Sequence, residues 1–315
     1  MPGPVACSKI AQTMQTHTKT SSLFLALIVV TALLNGCGGG GSSNGGSSSS
    51  ESSSGGAGGG GGTFTPPPNI IWGASAETGN FSEWNGDGGG DVYRRLDDVD
   101  VTSSDAIAEI SQDQARSGQR SVKLSIRTDP AFYPNAAKAQ VVRWNEPRQN
   151  TDYYYSVWFF IPQLFDVYPE GPDRGQGWLN MFQFHSVRDT GERVHSGVVL
   201  FGRSNPIART NYFELFLSPD FGNNIDPLNS PLAMPIGRWF NVEMRMKCAA
   251  NGQGVVQVWQ DGVQIFNLPN ITTNQPDADA HCHWMINAYG QFISPSPTVI
   301  YVDDVVISTG RVWQP

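Results

Sequence analysis

Residues 178–186 read WLNMFQFHS, and the alternation within them decides the fold. In an extended strand, successive side chains point to opposite faces. Phe182 and Phe184 then share an inner face, while Gln183 and His185 share the other. Residues 284–291 (WMINAYGQ) read the same way, with Ile286 and Ala288 on one face and Asn287, Tyr289 and Gln291 on the other. If both strands lie in one sheet, an imidazole, a phenol and several amides meet on one surface. Two readings stand side by side. The surface is a catalytic floor, or it is a solvated sheet face on which His185 and Tyr289 are ordinary polar residues.

Strand signals recur outward from these two stretches, and long helical periodicity does not. Residues 121–127 (SVKLSIR) alternate cleanly, and 139–144 follow. Residues 153–161 (YYYSVWFFI) carry apolar or aromatic side chains on both faces, as a central strand covered on both sides does. Further strands are expected at 197–201, 212–218, 239–247, 254–260, 263–267 and 299–308. Asn251-Gly252 and Asp261-Gly262 supply the tight turns of hairpins. About eleven strands joined by short turns predict an all-β fold, two antiparallel sheets packed face to face.

The chain ahead of residue 69 reads differently. Lys9 and Lys19 precede an apolar run, residues 23–34 (LFLALIVVTALL), of signal-peptide rather than membrane-span length. The run ends in LLNGC, which resembles the bacterial lipoprotein signal. That resemblance implies removal of residues 1–36 and lipidation of Cys37, with Gly38 pointing to delivery to the outer membrane or cell surface. Residues 38–62 are nearly pure Gly and Ser, a flexible coil with an r.m.s. reach of about 25–30 Å. Residues 37–68 are therefore expected to be a lipidated tether and 69–315 a single folded body. The whole chain carries 28 Asp and Glu against 20 Lys and Arg. Such an acidic balance argues against nucleic acid as a partner, and the membrane is expected to be met through the lipid alone.

With Cys7 removed and Cys37 lipidated, Cys248 and Cys282 remain. In an oxidising compartment they are expected to pair, which contributes roughly 3–4 kcal/mol on the chain-entropy picture. A zinc site built from Cys248, His281, Cys282 and His283 is the competing reading.

The run from Ala139 to Gln291 resembles the concanavalin-like β-jelly-roll polysaccharide lyases of the alginate, glucuronan and heparin-lyase-like groups. YYYSVWFFIP resembles their central strand, NMFQFHS their Gln-x-His strand, and NAYGQ the late strand that carries the catalytic Tyr. GRWFNVEMRMK and VVQVWQDGVQIFN resemble their paired hairpin. The resemblance implies β-elimination on a uronate-containing polysaccharide, with His185 and Tyr289 as the proton-transferring pair. Gln183, Asn287 and Gln291 would bind substrate, with Arg143 at the rim. Where alginate lyases carry Arg-x-Glu-x-Arg, this chain has KAQVVRWNEPR, so Arg143 fills one arginine position only. The chemistry implied needs no cofactor. The opening AETGNFSEW and the closing VDDVV resemble features of sugar-binding jelly rolls, in which the first and last strands are neighbours; that resemblance implies a structural calcium at Glu77, Asp303 and Asp304, against the alternative of solvated edge-strand charge. A monomer is expected. The alternative function is a non-catalytic, lectin-like surface lipoprotein. Under either function Tyr133, Trp144, Tyr212 and Trp284 are candidates to stack on sugars.

Overall fold

Alternating apolar side chains build nearly everything that follows. The structure, a computed structural model, describes residues 69–85, 90–96, 105–128, 136–144, 146–167, 177–187, 193–204, 213–219, 225, 228–276 and 280–313. The signal, Cys37 and tether expectations, and those for Tyr133 and Tyr212, lie outside these residues. Among the described residues the chain runs β1 (Ile70–Ala74), α1 (Ser82–Asn85), β2 (Gly90–Leu96), β3 (Ala106–Ser111), β4 (Ser121–Ile126) and β5 (Ala137–Arg143). It continues with β6 (Asp152–Phe160), β7 (Asp166–Val167), β8 (Trp178–Val187), β9 (Arg193–Ser204), β10 (Phe213–Pro219) and β11 (Leu228–Ala233). Last come β12 (Trp239–Lys247), β13 (Gly254–Gln260), β14 (Val263–Ile271), β15 (His281–Gln291), β16 (Ile293–Ser294) and β17 (Thr298–Ser308).

The strands form two large antiparallel sheets. One has the order β14-β13-β12-β6-β17-β4-β3, with β1 also paired to β17. The other has the order β11-β10-β9-β8-β15-β5-β2. As expected, β6 is central, and the strand that opens the described chain lies against the strand that closes it. Between the sheets, Tyr155, Val157 and Phe159 of β6 meet Phe182 and Phe184 of β8 and Trp284 and Ile286 of β15. The Tyr155 ring sits 4.9 Å from Phe184 and 4.8 Å from Trp284, both edge to face. Edge-to-face contacts add about 0.5–1.5 kcal/mol each beyond area burial. Trp284 is therefore core, not a sugar platform.

The outer face of the first sheet is closed by its own pairs. Arg116 lies over Trp158 at 3.7 Å and Arg311 over Trp259 at 4.5 Å. Glu243 is fully buried, and its carboxylate accepts from Arg311 Nε (2.6 Å) and the Val312 amide (2.7 Å).

The carboxylates expected at a calcium ion have other work. In β17, Val302 and Val305 both reach the core, a spacing of three that needs an irregularity between them. The register slips between Asp303 and Val306, and Asp304 takes a φ of +44°. This bulge turns both acids toward the loop before β4. Asp303 accepts from the amides of Arg116 (2.8 Å) and Asp304 (2.8 Å), and Asp304 pairs with the Arg116 guanidinium and accepts from Ser117 Oγ (2.7 Å). Glu77 accepts from the amides of Gln119 and Arg120 at 2.9 and 2.7 Å. Among the described residues no three acidic, His or Cys side chains form a group fit to hold a metal. Burial, then the neighbouring Asp304, pushes the Asp303 carboxyl up to about 7.

Cys248 and Cys282 lie fully buried with their Sγ atoms 2.9 Å apart, recorded as thiols. Cys282 points into the core while His281 and His283, its neighbours on the strand, point out, so the four proposed zinc ligands cannot share one sphere.

Candidate functional site

On β15 the core takes Cys282, Trp284, Ile286 and Ala288, which leaves His283, Met285, Asn287, Tyr289 and Gln291 on the outer face. On β5 the core takes Ala137, Ala139 and Val141, leaving Lys138, Gln140 and Val142 outside. On β8 the core takes Leu179, Met181, Phe182 and Phe184, leaving Asn180, Gln183 and His185 outside. Strict alternation would put Asn180 with Phe182. It does not, because the register of β8 slips between Asn180 and Phe182 against β9, and that of β15 slips between Ile286 and Tyr289 against β8. The slip brings two amides three residues apart to one face.

The three strands then present their side chains in rows. Tyr289 stands between Lys138 and Asn180, Asn287 opposite Gln140, and Met285 between Val142 and Gln183. His283 stands opposite His185. The Lys138 ammonium lies 4.2 Å from the centroid of the Tyr289 ring, and the Trp178 indole meets that ring edge-on at 4.4 Å. Gly290 is required behind this row. A Cβ there would come within 2.2 Å of the Trp178 carbonyl oxygen.

The centre of the face is an amide cluster. Asn180 Nδ2 donates to Gln183 Oε1 at 2.7 Å, and Asn287 Nδ2 donates to Asn180 Oδ1 at 2.9 Å and reaches Gln183 Oε1 at 3.5 Å. Asn180, Gln183, Asn287 and Gln140 are all buried. Asn287 Oδ1 and Gln140 Oε1 nevertheless lack a hydrogen-bond partner among the described residues. Unmatched buried acceptors of this kind cost about 1–3 kcal/mol each unless water or a ligand meets them. Gln183 spends its carbonyl on the cluster, so its two N–H donors remain for a substrate. His185 is half-buried with both ring nitrogens shielded from bulk solvent. It lies five residues along β8 from Asn180, the register partner of Tyr289, about 16 Å at a strand's rise. His185 and Tyr289 share a face, and the amide cluster lies between them rather than the two lying within a side chain's length.

Arg143 is not at the rim. Its position continues the core-facing series Ala137, Ala139, Val141, and it lies buried with its guanidinium 4.3 Å above the Trp72 ring. It donates to the Trp84 carbonyl (3.3 Å) and to Glu146 (3.0 Å), tying β5 to the opening segment. The cation on the outer face of β5 is Lys138. Gln291 ends the row beyond Tyr289, opposite Trp178. Asn180, Lys138 and Gln140 carry no motif. Only the strand's parity, counted from Ala137, points to the last two.

A family model described as polysaccharide lyase matches residues 76–306. No curated protein matches the chain. Among solved structures, an endo-β-1,4-glucuronan lyase from the fungus Trichoderma reesei is 15% identical with a TM-score of 0.56, covering 76% of this chain and 96% of that one. An alginate lyase from Aplysia kurodai is 10% identical with a TM-score of 0.49, covering 76% of this chain and 99% of that one. At these identities the likeness is one of fold.

Proposed function

The chain belongs to the polysaccharide lyase family, and from that premise we propose that it cleaves a uronate-containing polysaccharide by β-elimination on the outer face of the seven-stranded sheet. The observation that supports this most is the row Lys138–Tyr289–Asn180 beside an amide cluster with unmatched buried acceptors.

In this reading the substrate chain lies over Asn287 and Gln183. The uronate carboxylate accepts hydrogen bonds from Gln183 Nε2, and Lys138 adds positive charge nearby. Both stabilise the enolate-like charge that grows as the C5 proton leaves. Tyr289 takes that proton. The C5–H electron pair becomes the C4–C5 double bond, the C4–O bond breaks, and the leaving oxygen is protonated by Tyr289. A phenol is a weak base at its ordinary pKa of about 10. The Lys138 ammonium stands 4.2 Å from the centroid of that ring. The reading extends to location. The chain is exported and held at a bacterial outer membrane or cell surface by lipidated Cys37 and the Gly/Ser tether. Among the described residues no helix is long and apolar enough to cross a membrane.

The test is an absorbance screen for unsaturated uronate ends over glucuronan, alginate and heparin-type polymers. Tyr289→Phe removes one hydroxyl and should lower turnover by at least about 10²-fold, the low end for general acid–base catalysis. A wild-type protein that binds acidic polysaccharide yet forms no unsaturated product would establish the lectin-like alternative instead.

A further inference from the structure

Asn180 is the link in the chain of amides. Its Nδ2 donates to Gln183 Oε1 at 2.7 Å, and its Oδ1 accepts from Asn287 Nδ2 at 2.9 Å. Asn287 Nδ2 also reaches Gln183 Oε1 at 3.5 Å. Gln183 Oε1 therefore faces two donors. If the Gln183 amide turned over alone, its Nε2 would meet them donor to donor. If Asn180 turned with it, the Asn180 Nδ2 would meet the Asn287 Nδ2 in the same way. The three amides keep their direction together or reverse it together. All three are buried, with Asn180 at 2%, Gln183 at 5% and Asn287 at 0% exposure, so bulk water competes little for these bonds. A carbonyl that accepts from two N–H groups also makes the N–H groups of its own amide better donors. Such donors favour a carboxylate over a hydroxyl, because a hydrogen bond to an ionised acceptor is about twice as strong.

We infer that Asn180 is a positioning residue, which holds the Gln183 amide with its N–H groups toward the substrate and so makes the face select a sugar that carries a carboxylate. The inference rests on the lyase reading for where the substrate lies. Asn180 acts through Gln183 and not on the reacting atoms. An acceptor-only side chain at position 180 reverses the outcome. A carboxylate there accepts from Asn287 Nδ2 and from Gln183 Nε2, and the Gln183 carbonyl is left to face the substrate.

The experiment compares Asn180→Asp with Asn180→Leu, which breaks the link without adding charge, in the full-length protein. Glucuronan is the anionic probe and a neutral β-1,4-glucan the control. The direct readout is the side-chain amide signal of Gln183 in protein labelled with 15N-glutamine, assigned by its loss in Gln183→Leu. Without ligand, Asn180→Asp should move that signal downfield and slow its exchange with solvent, as Gln183 Nε2 now donates to a carboxylate. Retardation in gels cast with glucuronan should weaken at least about tenfold more in Asn180→Asp than in Asn180→Leu, with no such difference in the neutral glucan. A Gln183 signal in folded Asn180→Asp that matches wild type, or equal retardation of the two variants, overturns the inference. Melting temperatures report whether the fold is kept. If Asn180→Asp does not fold, Asn180→Leu decides, since an unlocked Gln183 should give a broadened or doubled signal and a single unshifted one overturns the role. The two readings fail separately. If the wild type makes no unsaturated product but Asn180→Asp shifts the signal and loses glucuronan, the positioning role stands and the lyase reading falls. If the wild type cleaves and Asn180→Asp matches it in signal and retardation, only the positioning role falls.

Discussion

Under the proposed lyase reading, Lys138 is the residue on which the chemistry of the face turns. It stands directly across from Tyr289 in the register of β5 and β15, with its ammonium 4.2 Å from the ring. Two roles are open to it, stabilising the phenolate and neutralising the substrate carboxylate, and both need charge more than shape. Lys138→Arg should therefore keep turnover within about tenfold of wild type, and Lys138→Met should lose about 10²-fold or more. Steady-state rates on glucuronan check this, and equal losses in the two variants would assign Lys138 to packing alone. The sequence held this position in view and missed it. The parity of Ala139, Val141 and Arg143 already places the Arg143 side chain with the core. Asn180 was beyond reach for another reason. A one-residue slip between paired strands leaves no mark in the sequence of either, and the slip is what moves Asn180 to the outer face.

At the scale of elements, two pairings carry testable energies. Cys248 follows β12 in one sheet and Cys282 lies on β15 in the other, so a bond between them would join the sheets through the core. In an oxidising compartment we expect this pair to be oxidised. Intact mass after alkylation without reductant should show no modified thiol, and two modified thiols would exclude the bond. The bulge in β17 makes the second case. The folded Asp303 carboxyl titrates near 7, above its ordinary value of 3.8, because burial and Asp304 disfavour its charge. The folded protein therefore holds a proton that the unfolded chain gives up. The stability this adds is complete below about pH 4, declines as pH rises to about 7, and is absent above, at ~1.4 kcal/mol for each unit between the two values. Carboxyl NMR should find the Asp303 midpoint near 7, and a midpoint near 3.8 would remove this contribution. Strand existence was legible from alternation at 121–127, 153–161, 239–247 and 299–308. The bulge was not, because VDDVV read by strict alternation puts the two acids on opposite faces.

At the scale of the molecule, the sandwich and its hairpins follow from period-two patterning and from turns such as Asn251-Gly252 and Asp261-Gly262, both with positive φ at each residue. The sequence did not disclose how the two sheets divide their labour. One outer face is closed by Arg116, Arg311 and buried Glu243, and the other carries the amides, phenol and imidazoles. The pairing of β1 with β17 sets an order in time. The last of the described strands, β17, lies between β6 and β4 in the middle of its sheet, and the Thr309 amide donates to the Asn69 carbonyl at 3.1 Å. Until β17 arrives, β4 and β6 have no common neighbour, and the upstream half of that sheet cannot close. A protein ending before Thr298 should expose its core and be degraded. A circular permutant that joins Thr309 to Asn69 and opens at Asn251-Gly252 should fold with a native circular dichroism spectrum and a melting temperature within about 10 °C of the parent. In that permutant the seam is made early, and the wait for the last strand is gone.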